Sequence, residues 1–98
     1  MGTMIEAVDQ GVGKIRKVLN ELGVAENTIT IFFSDNGGYG PITDMDPLKG
    51  YKGAYYEGGI RVPFFVHWPG AVKAGKTDQT MIGVDLYRTL CALSLIHI

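Results

Sequence analysis

Two short stretches of the sequence carry side chains that together could bind an anion and a metal ion. Asp35 and Asn36 offer a carboxylate and an amide carbonyl, the hard oxygen donors that Ca²⁺ and Mg²⁺ prefer. Gly37 and Gly38 follow, and they allow the backbone to turn sharply and approach a ligand closely. Lys52, fourteen residues after Gly38, adds an ammonium group suited to a sulfate or phosphate oxygen. The two stretches therefore predict one wall of an anion-and-metal site.

Each of these residues also has a simpler interpretation. The Asn36-Gly37 pair is typical of a tight hairpin turn, although the Gly-Tyr-Gly-Pro-Ile-Thr run that follows lacks the alternation of a strand. Lys52 on its own could be a solvated loop lysine, and Lys49 is a second candidate for the anion with the same alternative. Residue types and spacing alone leave these alternatives open.

Other polar and aromatic residues of this region are interpreted as structural. Glu57 and Arg61 lie four residues apart around Gly58-Gly59, and they could pair with each other or with other charges and so fix the loop. His67 alternates with apolar neighbours, which favours a packed or edge histidine of a strand over a ligand. Tyr51, Tyr55 and Tyr56 could line a pocket, but packing is favoured for them. Asp44 and Asp46 are loop carboxylates with no clear partner.

Hydrophobic periodicity predicts the elements that must position these side chains. Apolar residues at spacings of three and four predict an amphipathic helix over residues 3–22, with Gly23 as its C′ residue. β-branched and aromatic residues predict one strand over residues 28–33 and another over residues 61–68. A last helix is expected from about residue 82.

The first strand is almost continuously apolar, which predicts that both of its faces are covered, as in a parallel sheet. Asp35 and Asn36 then lie past its carboxyl end, where open α/β sheets bind ligands. The order helix, strand, long loop, strand, helix predicts an α/β fold with a parallel sheet.

Gly11 and Gly13 weaken the first helix by about 1 kcal/mol each relative to alanine. Packing, with close approach at these glycines, is therefore expected to hold it.

The composition narrows the class of protein. The chain has 98 residues, 46% apolar and 19% charged, which is typical of one small globular domain. A net charge of −1 and a pI near 6.0 leave no broad basic face for nucleic acid. No apolar run approaches the ~20 residues of a membrane span. Cys91 is the single cysteine, so no internal disulfide is expected.

One stretch matches the pattern of a nucleotide-binding motif, but its place in the order of predicted elements argues against nucleotide binding. Residues 70–77 match the phosphate-binding P-loop pattern and follow a predicted strand. In P-loop enzymes the apolar strand that ends in a magnesium-associated aspartate comes after the P-loop, whereas here residues 28–35 come before it. The motif is therefore expected to be an ordinary surface loop.

An ordered series of motifs resembles the type I sulfatases of the alkaline-phosphatase superfamily, over about residues 4–92. The matching stretches are residues 4–9 with Gly13, Leu22-Gly23, Asn27-Thr28, residues 34–38, residues 47–63, residues 68–70 and residues 84–90. A series of this length is far more specific than any of its members. The resemblance covers only the C-terminal part of the sulfatase catalytic domain.

The resemblance implies a fold, an activity and roles for individual residues. Residues 1–92 would be part of a large α/β/α sandwich with a mostly parallel sheet, in an enzyme that hydrolyses sulfuric esters. Asp35 and Asn36 would be ligands of an active-site Ca²⁺ (or Mg²⁺), and Lys52 would contact the sulfate and stabilise its charge. The loop residues with a structural role would be Gly37, Gly38, Glu57, Gly58, Gly59 and Arg61. The implied substrate is a sulfated small molecule or glycan, and family habit suggests a periplasmic, secreted or lysosomal location.

The departures from the sulfatase pattern are equally specific. The Cys/Ser-x-Pro-x-Arg motif that yields the formylglycine nucleophile is absent, and Cys91 lacks the proline and arginine that would follow it. The other metal carboxylates and the catalytic histidines of the family are absent as well. We therefore expect formylglycine in an upstream segment, the missing remainder of the domain as a partner, and no activity from this chain alone.

The last six residues, 93–98, are expected to lie outside the resemblance to sulfatases. Leu-Ser-Leu-Ile-His-Ile resembles the translation of a common sequencing-library adapter, so we hypothesise a non-native tail. Two other functions remain as alternatives: a phosphonate or phosphodiester hydrolase of the same superfamily, and a non-catalytic small α/β module.

Overall fold

The computed structural model describes residues 2–94. Its elements are α1 (Gly2–Glu21), a 3-10 helix (Ala25–Asn27), β1 (Thr30–Phe33), α2 (Glu57–Ile60), β2 (Phe64–His67) and α3 (Gly83–Leu93). The expected helices and strands are present, with both strands shorter than predicted, whereas α2 was not predicted. Most of the hypothesised tail, residues 95–98, lies outside the described residues. No helix within residues 2–94 is long and apolar enough to cross a bilayer.

Helix α1 ends as its sequence predicts. Gly23 adopts a φ of 69°, the left-handed conformation that glycine tolerates best. Its N–H donates to Asn20 O at 3.0 Å, and Val24 N–H donates to Leu19 O at 3.1 Å. These two bonds form the Schellman motif. The expected close approach at Gly11 and Gly13 was wrong for the described residues, because a Cβ added at either position would meet nothing within 4 Å.

The two strands pair antiparallel, with Thr30 opposite His67 and Phe33 opposite Phe64. A parallel arrangement of these strands was expected and was wrong for this pair. Parallel neighbours need a crossover connection, usually a helix of several turns on the sheet face. The 30-residue connection between Phe33 and Phe64 contains only the four-residue α2, and it returns the chain beside β1 in the opposite direction. The α/β class itself is confirmed.

Cross-strand aromatic contacts stabilise this two-stranded ribbon. The ring centroids of Phe32 and Phe65 are 6.3 Å apart, and those of Phe33 and Phe64 are 5.7 Å apart, both in tilted arrangements. Such pairs contribute about 0.5–1.5 kcal/mol beyond their buried area. The Trp68 indole N–H donates to Glu26 O at 3.1 Å and ties the end of β2 to the 3-10 helix.

The apolar side chains of α1 and of the two-stranded sheet are largely exposed to solvent. Phe32 is 40% exposed and Ile5 is 62% exposed, and no hydrophobic side chain of residues 2–94 is buried. A groove of about 520 Å³ separates α1 from the ribbon. The radius of gyration is 16.0 Å, against about 13 Å for a compact domain of this length. The cover expected on both faces of β1 is therefore not provided by residues 2–94.

We expect the isolated chain to lack a cooperative fold, because residues 2–94 have open strand edges and bury no apolar side chain. Exposed apolar surface should bind the dye ANS, and near-UV circular dichroism should be weak. Thermal melting monitored by circular dichroism tests this expectation. A single sharp transition with a strong near-UV signal would contradict it and would favour the alternative of a small self-sufficient module.

Candidate active site

Three glycines form the most tightly packed point of the structure. Gly37, Gly58 and Gly59 are the only residues between 2 and 94 that are buried, and we call them the glycine junction. A Cβ added at Gly37 would lie 2.9 Å from Gly59 Cα and would collide with the carbonyl of Gly58. A Cβ at Gly58 would lie 2.8 Å from Lys49 O. Only glycine at these positions lets the two backbones approach so closely.

Backbone hydrogen bonds at this junction bring together the two stretches singled out in the sequence. Residues 34–38, the strand-end loop, follow β1 directly. Residues 49–59, which we call the lysine loop, include the first three residues of α2. Gly37 N–H donates to Gly59 O at 2.9 Å, and Lys52 N–H donates to Gly38 O at 2.9 Å. The backbone of Lys52 is therefore attached to the strand-end loop two residues beyond Asn36.

The lysine loop is also closed on itself. Gly58 N–H donates to Lys49 O at 2.8 Å, and Ala54 N–H donates to Tyr51 O at 2.8 Å. The expected pairing of Glu57 with Arg61 is present, with 3.2 Å between Glu57 Oε2 and Arg61 Nη1. Both side chains are exposed, so the pair contributes at most about 1 kcal/mol. Glu57 is the first residue of α2 and Arg61 is its C-cap residue, so the pair spans this short helix.

Asp35 and Asn36 have the chemistry of metal ligands but do not make a complete site. Asp35 is exposed and Asn36 is half-buried, while the Ser34 hydroxyl donates to Asn36 O at 2.7 Å and stabilises the turn. Within residues 2–94, no three His, Cys, Asp or Glu side chains cluster in a way that could hold a metal ion. Ca²⁺ takes six to eight oxygen ligands. The two donors fit part of such a shell, and the other ligands would have to come from elsewhere.

The two lysines of the lysine loop have different surroundings. Lys52 is exposed, and its side chain makes no ion pair with another described residue. Lys49 Nζ lies 4.1 Å from the centroid of the Tyr56 ring, in a cation–π contact. Neither lysine is held in an ion pair among the described residues, and Lys49 differs from Lys52 in its contact with the Tyr56 ring. The contact between Lys49 and Tyr56 was not anticipated, since a seven-residue separation in an irregular loop gives no periodic signal.

The simpler interpretations of the sequence can be tested against this geometry. The Asn36-Gly37 pair does not form a hairpin, because β1 pairs with β2 and no strand lies between them in the described chain. Residues 70–77 form no P-loop, because no helix begins there and α3 starts only at Gly83. His67 lies exposed at the end of β2, opposite Thr30. The Asp44 carboxylate accepts the Asp46 N–H at 3.0 Å and serves a local turn.

Two close contacts beside the junction were missed by the sequence interpretation. A Cβ at Gly40 would lie 2.8 Å from the Tyr51 ring, so Tyr51 packs on the strand-end side of the site as expected of a packing residue. A Cβ at Gly38 would lie 2.8 Å from Met45 Sδ. The signal in the sequence that could have indicated these contacts was the high density of glycines on either side of Asp44. Tyr55, in contrast, is 95% exposed and does not pack within the described chain.

The fold and the joined loops define a segment of a sulfatase: the profile of the sulfatase family matches residues 1–95, and the chain belongs to that family. Among its relatives, a sulfatase of Formosa agariphila is 39% identical over 100 residues, which cover 92% of this chain and 18% of the relative. The N-acetylgalactosamine-6-O-sulfatase of Bacteroides thetaiotaomicron is 36% identical, covering 94% of this chain and 20% of that enzyme. Human arylsulfatase A is 34% identical, with 95% and 19% covered.

A solved structure extends this similarity to three dimensions. The chain superimposes on the crystal structure of Ps i-CgsB in complex with k-i-k-neocarrahexaose with a TM-score of 0.89 and 42% identity. The match covers 97% of this chain and 22% of that structure. The chain thus spans about a fifth of the length of the proteins that it matches. This agrees with the expectation of an α/β segment within a larger sulfatase domain.

Proposed function

We propose that this chain supplies part of the active site of a hydrolase that cleaves sulfuric esters. The observation that supports the proposal is the pair of backbone bonds, Gly37 to Gly59 and Lys52 to Gly38, that joins the strand-end loop to the lysine loop. They attach the backbone of Lys52, a cationic residue, to the loop that carries two oxygen donors, Asp35 and Asn36. A metal ion and a lysine on one wall are suited to an anionic substrate.

The proposed roles follow from the chemistry of each side chain. Asp35 and Asn36 would hold Ca²⁺, with Mg²⁺ as the alternative ion, through one carboxylate and one amide oxygen. The bound ion would polarise the sulfate. Lys52, exposed and without an ion-pair partner among the described residues, would donate to a sulfate oxygen and stabilise the charge that develops there during transfer. The glycine junction would keep the two groups at a fixed separation.

The substrate proposed is a sulfated glycan or a sulfated small molecule. The glycan is supported by the neocarrahexaose in the complex of the structural neighbour and by the N-acetylgalactosamine-6-O-sulfatase among the relatives. The nucleophile, expected to be formylglycine, and the remaining metal ligands would come from the other parts of the domain. We refer to the protein encoded by the whole reading frame that contains this chain as the full-length enzyme.

The proposal is tested by extending the reading frame and assaying the full-length enzyme. The upstream frame is searched for Cys/Ser-x-Pro-x-Arg, and the purified protein is then offered 4-nitrophenyl sulfate, a sulfated oligosaccharide and bis(4-nitrophenyl) phosphate. We expect the motif, hydrolysis of the sulfate esters, and loss of activity with EDTA that Ca²⁺ or Mg²⁺ restores. Hydrolysis of the phosphodiester alone would instead support the phosphodiesterase alternative. A stop codon immediately before Met1 would remove the catalytic assignment.

A further inference from the structure

The contact between Lys49 and Tyr56 spans the base of the lysine loop. Lys49 Nζ lies 4.1 Å from the Tyr56 ring centroid, and the backbone of Lys49 accepts the Gly58 N–H at 2.8 Å. The side chain and the main chain of Lys49 therefore both contact the far end of the same loop. Lys52 lies within the segment that these contacts close.

Two backbone hydrogen bonds restrain the residues of the loop between Lys49 and Tyr56. Lys52 N–H donates to Gly38 O, and the Ala54 N–H to Tyr51 O bond forms one turn. Gly50 and Gly53 adopt φ values of 84° and 90°, and glycine offers the backbone more alternative conformations than any other residue. A side-chain contact across the base limits those alternatives. It does so without occupying Lys52 itself.

We propose that Lys49 and Tyr56 form a clamp that positions Lys52 for anion binding, and that Lys49 does not bind the anion directly. The proposal rests on the proposed role of Lys52 at a sulfate site. Lys49 acts through the Tyr56 ring: with its ammonium over the ring face, it holds the two ends of the loop together. Lys49 is thus a positioning residue, and the anion is left to Lys52.

The clamp and direct anion binding by Lys49 differ in what Tyr56 should do. If Lys49 binds the anion, removal of the Tyr56 ring frees the ammonium and anion affinity stays the same or rises. If Lys49 acts through the ring, removal of either partner weakens binding equally, and removal of both adds nothing further. A double-mutant cycle separates these cases, since coupled residues give non-additive effects.

The experiment measures binding of inorganic sulfate to the full-length enzyme by calorimetry. Lys49→Met and Tyr56→Leu are each expected to weaken sulfate binding by about two- to fivefold, as for the loss of one exposed cation–π contact. The double variant should be no weaker than either single variant. Lys49→Arg and Tyr56→Phe keep a cation against a ring and should remain within about twofold of the unmodified enzyme. In a Lys52→Ala background, Lys49→Met should have no further effect.

Three outcomes would overturn the clamp. These are additive losses in the double variant, unchanged or tighter binding in Tyr56→Leu, and a lowered Tm of Lys49→Met with unchanged sulfate affinity. The last result would assign the pair to stability alone. Turnover of 4-nitrophenyl sulfate by the unmodified enzyme reports separately on the proposed function, so failure of the activity and failure of the clamp are distinguishable.

Discussion

Replacement of Lys52 by alanine in the full-length enzyme is expected to lower kcat for sulfate-ester hydrolysis by about 10²–10³-fold. This is the effect of removing one donor that faces a developing negative charge, and it corresponds to about 3–4 kcal/mol of transition-state stabilisation. Lys52 is the lysine of its loop with a free ammonium group among the described residues, because Lys49 lies over Tyr56.

The measurement is steady-state kinetics with an aryl sulfate, with the separate values of kcat and KM compared. Lys76→Ala is the matched control, since Lys76 is an exposed lysine of the surface loop between β2 and α3. The control should keep its activity. If Lys52→Ala also retained full kcat, Lys52 would be a solvated loop lysine, and the proposed anion site would lose its cation.

The two long helices and the two strands could be predicted, because hydrophobic periodicity and residue type are local properties of the sequence. Gly23 ends α1 as predicted, because few residues other than glycine readily adopt the left-handed conformation that follows the last turn of a helix. The antiparallel pairing of β1 and β2 is different, because it depends on the path of the 30 residues between Phe33 and Phe64. That segment has no periodicity from which a direction could be read. The exposure of Phe32 likewise depends on residues that are distant in the chain or absent from it.

The contacts that join the two candidate stretches could not be predicted from the sequence. Asp35 and Lys52 were singled out by chemical type, and the resemblance placed them in one site, since a spacing of seventeen residues through glycines fixes no distance. The structure adds the contact of Gly37 with Gly58 and Gly59, which joins the loops that carry these two residues. Glycine pairs are common in turns of every kind. Their packing against each other therefore leaves no distinctive signal in one sequence.

Gly37→Ala is expected to be as damaging as loss of a catalytic side chain, although it removes no functional group. The added methyl would lie 2.7 Å from the carbonyl carbon of Gly58 and 2.9 Å from Gly59 Cα. These are backbone atoms, which cannot rotate away as the end of a long side chain can. Gly37 does not lie at positive φ, so the effect is steric rather than conformational. Overpacking of this kind costs about 1–3 kcal/mol and occasionally more.

The larger consequence of Gly37→Ala should appear in activity. Separation of the two loops would move Lys52 away from Asp35 and Asn36, and a displacement of about 1 Å in an active site can cost 10²-fold. We therefore expect kcat/KM of the full-length enzyme to fall by about 100-fold, with a lowered Tm. Gly75→Ala is the matched control: a Cβ there meets nothing within 4 Å, so activity and Tm should be unchanged.

Kinetics and thermal melting of the two alanine variants distinguish a positional effect from simple unfolding. If Gly37→Ala is assayed well below its own Tm and the loss of kcat/KM persists, the folded enzyme has a displaced site. If activity is fully recovered at low temperature, the junction contributes to stability alone. Retention of both Tm and activity would mean that the two loops are farther apart in the full-length enzyme. The positioning of Lys52 beside the strand-end loop would then have to come from residues outside this chain.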